Sequence, residues 1–525
     1  MQAVLRRLNR WPPIVSAGAT LAALALLWRV RDAPLELGAV GRIDALGAFF
    51  ALVSLGALTL NLALGGARPA RARLTALATV ALLLAYSTTV TLAIAGCYAL
   101  VALLGLLAGG RMPRYPRPAR LADRLRRWAT HTPGALAALC LLIGYGALAL
   151  HGAARYTDRT AGAALDSFAF WFVLLAAALP LWNLGFVTWG RAAAPSEPPS
   201  PKPQARAASY GLLQIAWLYP LARLYSLGPW NGGWSLATAL LGGAAAGWCA
   251  VSALAQREPG ARRGRVAASY FGLALAGIGL GSSAGLAAAC YAIFASLLVA
   301  ATIDPAQDQE TTRPGDNPPA PALRDSRAAG WLLSGALPFT TPFVAAWMLV
   351  GAGVAGGVGL LSGVAWLVAL LGGLTTALSS EPDAGDTRRA RLSLGALSLA
   401  LGIGAPLVVR ELIQPVAAQL QGGLTPYGEL NIWPWVGLAS ADAAHTQVTT
   451  LPSIAIALLM LVLFALVYVA TRLREHYGAP PAAPANESAA PEASALLDGL
   501  RDDVPWLGAL LGRARPGEER RRDAE

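Results

Sequence analysis

Charge is what this chain has least of. Asp, Glu, Lys and Arg make up 13% of its 525 residues, about half the share of an ordinary soluble domain. Lys202 is the only lysine, and the histidines are His131, His151, His445 and His476. That scarcity, beside 55% hydrophobic residues, excludes a string of water-soluble domains. Each of the four cysteines, Cys97, Cys140, Cys249 and Cys290, lies inside an apolar run with no C-x-x-C spacing. Neither a disulfide nor a metal framework is expected, and the reading is of small buried hydrophobes. The signatures G-x-x-x-x-G-K-[ST], H-E-x-x-H and G-x-S-x-G are all missing. No catalytic, metal-binding or cofactor-binding residues can be assigned, and nothing is suited to flavin, iron–sulfur or nicotinamide.

What the chain does have is long apolar runs with arginine between them. The formal charge is +12, which in a soluble protein would suggest nucleic acid. Here the basic residues fill short gaps between apolar stretches, so the partner expected is a lipid bilayer, not nucleic acid. Spanning needs about 20 apolar residues. Runs of that kind lie near 13–30, 43–65, 73–90, 91–109, 133–154, 165–189, 208–227, 234–255, 265–283, 284–303, 328–351, 354–379, 392–420 and 450–472. The expected fold class is thus all-α, a polytopic membrane bundle of about fourteen helices. The first run ends in Trp28, Arg29 and Arg31, where a cleaved signal would show small residues.

Loop charge orients the bundle. With the N-terminus cytoplasmic, 28 of the 41 basic residues fall in loops on that side and five on the other, the bias of inner-membrane proteins. Both termini are expected in the cytoplasm of a cell whose inner membrane holds the protein. The membrane domain takes 1–475. Beyond it, 476–525 is a Pro/Ala linker and a tail in which Leu496, Leu497, Leu500, Val504, Trp506 and Leu507 mark one apolar stripe, interrupted by Pro505. Tyr427, Trp433 and Trp435 fit an outer aromatic belt.

Ionisable groups inside hydrocarbon are costly and therefore the first functional candidates. Away from helix ends there are Arg410 beside Glu411 in the thirteenth run, and Arg223 near the end of the seventh. A proton relay needs successive titratable groups or waters within hydrogen-bond reach, which one Arg–Glu pair and scattered tyrosines do not provide.

The order of four segments goes further. Leu179-Pro-Leu-Trp-Asn-Leu-Gly-Phe followed by Ala194-Pro195 is similar to "P-l-x-P-l-H-x-W-L-P…A-P", and Leu218-Tyr219-Pro-Leu-Ala-Arg223 to "K-x-G-x-Y-g-l-l-R". Arg262-Arg263, Arg265-Val-Ala-Ala-Ser269 and Gly279-x-Gly281 resemble "K-r-l-l-A-y-S-S…G-l-G". Ser334-Gly-Ala-Leu-Pro338-Phe-Thr-Thr-Pro-Phe343 with Trp347 resembles "s-l-x-G-l-P-P-l-x-G-F-x-x-K-w". In this order, over about residues 75–415, the chain resembles the antiporter-like membrane subunits of proton-translocating NADH–quinone oxidoreductases, cation/proton antiporter complexes and membrane-bound hydrogenases.

The resemblance implies two inverted five-helix repeats with broken helices, and other membrane subunits as partners, with any quinone handled by them. It also implies a glutamate on the fifth helix, a lysine on the seventh and further Lys or His later. Those positions fall here on Tyr98, Ile215, Ala295, Val299 and Ala346. One residue of slippage gives Cys97 or Gln214 for the first two. Only Arg410 stands where the family keeps a cation, on a late helix that Pro406 and Pro415 can interrupt. Ion-path candidates are accordingly Arg410, Glu411, Arg223, Tyr219 and Tyr98. The expectation is a subunit of a complex I-like assembly, with its proton-translocation residues reduced or lost, and not a complete enzyme. Two alternatives stand beside it. One is an active pump working through Arg410–Glu411 and water chains. The other is a stand-alone secondary transporter or polyprenyl-sugar enzyme, for which Asp44 and Asp166 are the outer acidic candidates.

Overall fold

The computed structural model describes residues 11–64, 69–108, 121–157, 167–181, 212–228, 230–254, 256, 259–302, 330–333, 337–377, 385–420, 438–440, 449–451 and 462. The loops 190–207 and 304–327, the acidic candidate Asp166, the aromatics Tyr427, Trp433 and Trp435, nearly all of the run 450–472 and the tail lie outside these residues.

Apolar stretches of near-uniform hydrophobicity become helices because a lipid solvent leaves backbone groups no other partner. In chain order these are α1 (Trp11–Val30), α2 (Ala45–Leu64), α3 (Pro69–Ser87), α4 (Thr91–Ala108), α5 (Leu121–Leu150) and α6 (Ser167–Leu181). An interrupted segment follows, with a 3₁₀ turn at Leu212–Trp217, α7 (Leu218–Arg223) and a second 3₁₀ turn at Leu224–Ser226. Then come α8 (Gly232–Leu254), α9 (Pro259–Gly279), α10 (Ser283–Ala301), α11 (Thr341–Ala355), α12 (Gly359–Ala377) and α13 (Gly385–Ile403). The last described helical stretch is α14 (Ala405–Val408), a π turn at Val409–Ile413 and α15 (Gln414–Gln419). Two small hairpins pair β1 (Leu35–Glu36) with β2 (Arg42–Ile43), and β3 (Leu438–Ser440) with β4 (Thr449–Leu451).

Among the described residues six helices are long and apolar enough to cross a membrane, and a seventh crossing is possible if the bent pair Arg391–Ile403 and Ala405–Gln419 is one span. Burial separates centre from rim. The span Ser283–Ala301 is 94% buried, whereas Pro13–Val30 is 22% buried and turns Ile14, Val15 and Leu21 outward, as a lipid-facing helix should. Small residues set the tightest crossing. A Cβ on Gly242 would lie 2.3 Å from the Ala276 nitrogen, and one on Gly272 2.7 Å from that of Ala246. α8 and α9 therefore touch backbone to backbone, the usual way membrane helices gain contact without a hydrophobic drive.

The two interruptions, at 212–226 and near 403–413, match the expectation of broken helices in two places. Pro220 sits in the first, Pro406 and Pro415 in the second; each removes one backbone donor from the ladder. The second bends the chain by 71°. At that bend Gly402 is forced: a Cβ there would lie 1.8 Å from the Phe339 carbonyl oxygen. Phe339 itself has φ 68°, a left-handed conformation uncommon for an aromatic residue.

Candidate functional site

The first interruption builds a buried polar centre. Pro220 has no N–H, so the carbonyl four residues back, that of Ala216, lacks its helical donor. The Tyr98 hydroxyl donates to it at 2.5 Å. On the other side the Leu224 N–H turns to Leu221 and Ala222, and the Pro220 carbonyl accepts from the Tyr145 hydroxyl at 2.9 Å. Two phenols from neighbouring helices thus replace the hydrogen bonds that the break removes. One turn on, Tyr225 ties the segment to its neighbour, donating to the Ile278 carbonyl at the C-terminal end of α9 at 2.7 Å.

This stiffened turn presents Arg223, which is 1% exposed. Its Nη1 and Nη2 both donate to the Asp44 carboxylate, the Nη2–Oδ1 contact being 2.9 Å. Tyr219, one helical turn earlier, accepts from Nε at 3.1 Å and Nη2 at 2.8 Å. The guanidinium carbon stands 4.3 Å from the ring centroid of Tyr156, a cation–π contact. Asp44 is held in turn by the Gly47 N–H at 2.8 Å, as the cap of α2. Tyr156 lies in the α5–α6 connection. Burial raises its phenol above the ordinary range despite the opposing pull of Arg223, so it stays neutral. Around the pair, the Tyr86 and Tyr219 rings meet at 4.7 Å, and Phe50 and Tyr219 at 5.4 Å. Tyr86 shares a hydrogen bond of 3.0 Å with Ser54.

The second interruption is arranged differently. Glu411 takes its main partner from far away: Arg31 Nη1 donates to Glu411 Oε2 at 2.6 Å. Arg410 reaches the same carboxylate at 3.5 Å, but its side chain is 80% exposed. Gln419 ties the end of α15 back to the start of the chain. It donates to the Val30 carbonyl at 2.7 Å and accepts from the Ala45 N–H at 2.6 Å. Residues 30–45 therefore hold both interruptions, gripping the first through Asp44 and the second through Val30, Arg31 and Ala45.

The structure thus brings Tyr98, Tyr219 and Arg223 to one buried centre and places Arg410 and Glu411 at a separate one. Sequence reasoning set Tyr219 and Arg223 near a helix end and left Asp44 as an isolated outer acid. A signal was present, since a buried arginine demands a carboxylate and few acids border the apolar runs. The positions where the resemblance expects exchangeable groups, Tyr98, Ile215, Ala295, Val299 and Ala346, are between 0% and 4% exposed and belong to one apolar core. The slipped alternative Gln214 has its Oε1 buried without a partner among the described residues. No group of three or more His, Cys, Asp or Glu side chains among the described residues could hold a metal.

No family model matches the chain, nor does any curated protein. Solved structures do. A chain of the Mrp complex from Dietzia sp. DQ12-45-1b aligns with a TM-score of 0.62 at 18% identity, over 79% of this chain and 92% of that one. A chain of respiratory complex I from Thermus thermophilus with bound NADH aligns at 0.57 and 16% identity, over 78% and 94%. The membrane-bound sulfane sulfur reductase, an archaeal respiratory membrane complex, contributes a chain at 0.60 and 16%, over 95% and 89%. At such identities the likeness is one of fold. The motif order and the backbone agree: this multi-pass membrane protein has the fold of the antiporter-like membrane subunits found in complex I-like assemblies.

Proposed function

We propose that the chain is a non-catalytic membrane subunit of a complex I-like, hydrogenase-type or cation-antiporter assembly, with its own proton-translocation residues reduced or lost. The observation that carries this reading is the row of Tyr98, Ile215, Ala295, Val299 and Ala346, buried where the resemblance expects ionisable groups. Arg223 does not fill the gap. A guanidinium keeps its proton, and Asp44 takes both of its Nη groups, so neither partner can exchange a proton without opening the pair.

Arg410 supports assembly with other subunits. A guanidinium 80% exposed on a broken membrane helix, beside the exposed Leu407 and Ile403, is poorly placed against lipid tails. Its contact within the described residues is the 3.5 Å approach to Glu411, a carboxylate already held by Arg31, and the last apolar run, 450–472, contains no Asp or Glu. A neighbouring subunit's carboxylate is the partner that fits. Electron and quinone chemistry then belong to those neighbours, and the orientation with both termini cytoplasmic is part of this reading. Mild detergent capture of the full-length protein from its native membrane tests it. Co-purification of oxidoreductase, hydrogenase or antiporter subunits is expected. A protein that comes down alone from intact membranes, and transports solute by itself in vesicles, refutes it.

A further inference from the structure

α9 carries a buried guanidinium with two donors that no described residue accepts. Arg265 is 0% exposed, and its Nη1 donates to Ser252 Oγ on α8 at 2.5 Å. Its Nε and Nη2 are buried without a hydrogen-bond partner among the described residues. Ser252 meets only Nη1, and its own hydroxyl donates to the Cys249 carbonyl at 3.1 Å. The two unmet donors are the side-on edge of the guanidinium, two parallel N–H groups matched to two oxygens of one oxyanion.

Two further arginines lie close by on the same helix. Arg262 donates to the Gln256 carbonyl at 3.2 and 2.8 Å, and Arg263 to the Thr302 carbonyl at 2.6 Å. All three arginines lie in the first two turns of α9, the end at which the helix dipole is already positive, and that first turn has no acidic residue. Arg265 is also the last charge before the apolar stretch that begins at Val266, the depth at which lipid headgroups meet a membrane helix. A buried charged donor pair left unmet is strongly destabilising.

We infer that this edge of Arg265 binds a phosphate-class oxyanion, either a phospholipid headgroup or free phosphate, where the α8 C-terminus meets the α9 N-terminus. The inference is independent of which assembly the chain joins. The test uses full-length protein, stripped of lipid in a phosphate-free glycoside detergent and unfolded by heat at constant ionic strength. Inorganic phosphate is compared with chloride, and phosphatidylglycerol with the phosphate-free lipid monoolein. A rise in Tm of about 3 °C or more with a phosphate-bearing addition is expected by linkage. Chloride and monoolein should give none. A shift with phosphatidylglycerol alone assigns the site to lipid; a shift with inorganic phosphate as well assigns it to the phosphate group itself. Arg265→Met should abolish the shift. Arg265→Lys, which keeps charge but loses the fork, should retain less than half. Arg73→Met, on the exposed side of α3, should keep all of it. No shift in the wild type, or an undiminished shift in Arg265→Met, overturns the site. Should Arg265→Met fail to fold, native mass spectrometry of the wild type decides: a retained phosphate or phospholipid adduct supports the site, and bare protein under lipid-retaining conditions refutes it.

Discussion

The interruption at 212–226 and the one at 403–413 share a cause, proline in a membrane helix, and differ in how their charge is disposed. In the first, Arg223 is buried, paired twice with Asp44, stacked on Tyr156 and hydrogen-bonded to Tyr219. In the second, Arg410 faces out of the bundle while Glu411 reaches across to Arg31. One break is sealed by its own chain; the other is half finished. A break that lies in the core must satisfy every freed group internally, and Tyr98 and Tyr145 are there to do it. A break at the edge can leave a charge for a neighbour. Breaking the two separately is how this difference is put to the test.

The largest effect is expected at the outer bend. Gly402→Ala places a methyl group 1.8 Å from the Phe339 carbonyl, and Phe339 already has an unfavourable φ. Backbone must move, and a loss of about 4 kcal/mol or more should show as a protein that fails to accumulate in the membrane or unfolds at much lower temperature. Next comes the sealed pair. Asp44→Ala strands a buried guanidinium and should cost about 3–5 kcal/mol, read from detergent-solubilised thermal unfolding. The double variant Asp44→Leu with Arg223→Met removes both charges and should recover most of that loss. A double variant no better than the single one would mean that the pair does more than neutralise itself.

Much of this fold could be read from residue order. Apolar run lengths and the prolines at 220, 406 and 415 are local properties, and the described helices and their breaks follow them. The sites were less legible, and the reason is geometric. Arg223 and Asp44 are 179 residues apart, Arg31 and Glu411 380, and no periodicity carries a contact over that distance. Sequence set Arg410 beside Glu411, and they do meet at 3.5 Å, but the shorter contact of Glu411 is with Arg31. Adjacent residues on a helix point about 100° apart, so one faces in toward Arg31 and the other out. The tyrosines appeared scattered for the same reason; only the packed bundle shows Tyr98 and Tyr145 converging on the carbonyls next to Pro220.

A smaller effect should come from Tyr98→Phe. If its hydroxyl serves the Ala216 carbonyl and nothing else, its loss leaves one buried acceptor unmet, at about 1–3 kcal/mol, with the assembled complex otherwise intact. A loss of ion transport without loss of stability would instead give Tyr98 a place on an ion path.

The smallest effect on the isolated chain, and the sharpest test of the contrast, is at Arg410. Its side chain is mostly in the open, so Arg410→Gln should change thermal stability of the purified subunit by well under about 1 kcal/mol. Glu411→Gln, which releases Arg31, should cost about as much as one partly exposed ion pair and no more. In the native membrane the order should invert. Arg410→Gln should lower the yield of co-purified neighbouring subunits several-fold, Arg410→Lys should restore part of it, and Glu411→Gln should act only through stability. Should complexes carrying Arg410→Gln assemble fully but stop pumping, the exposed guanidinium belongs to an ion path, and the outer break is a working part of it.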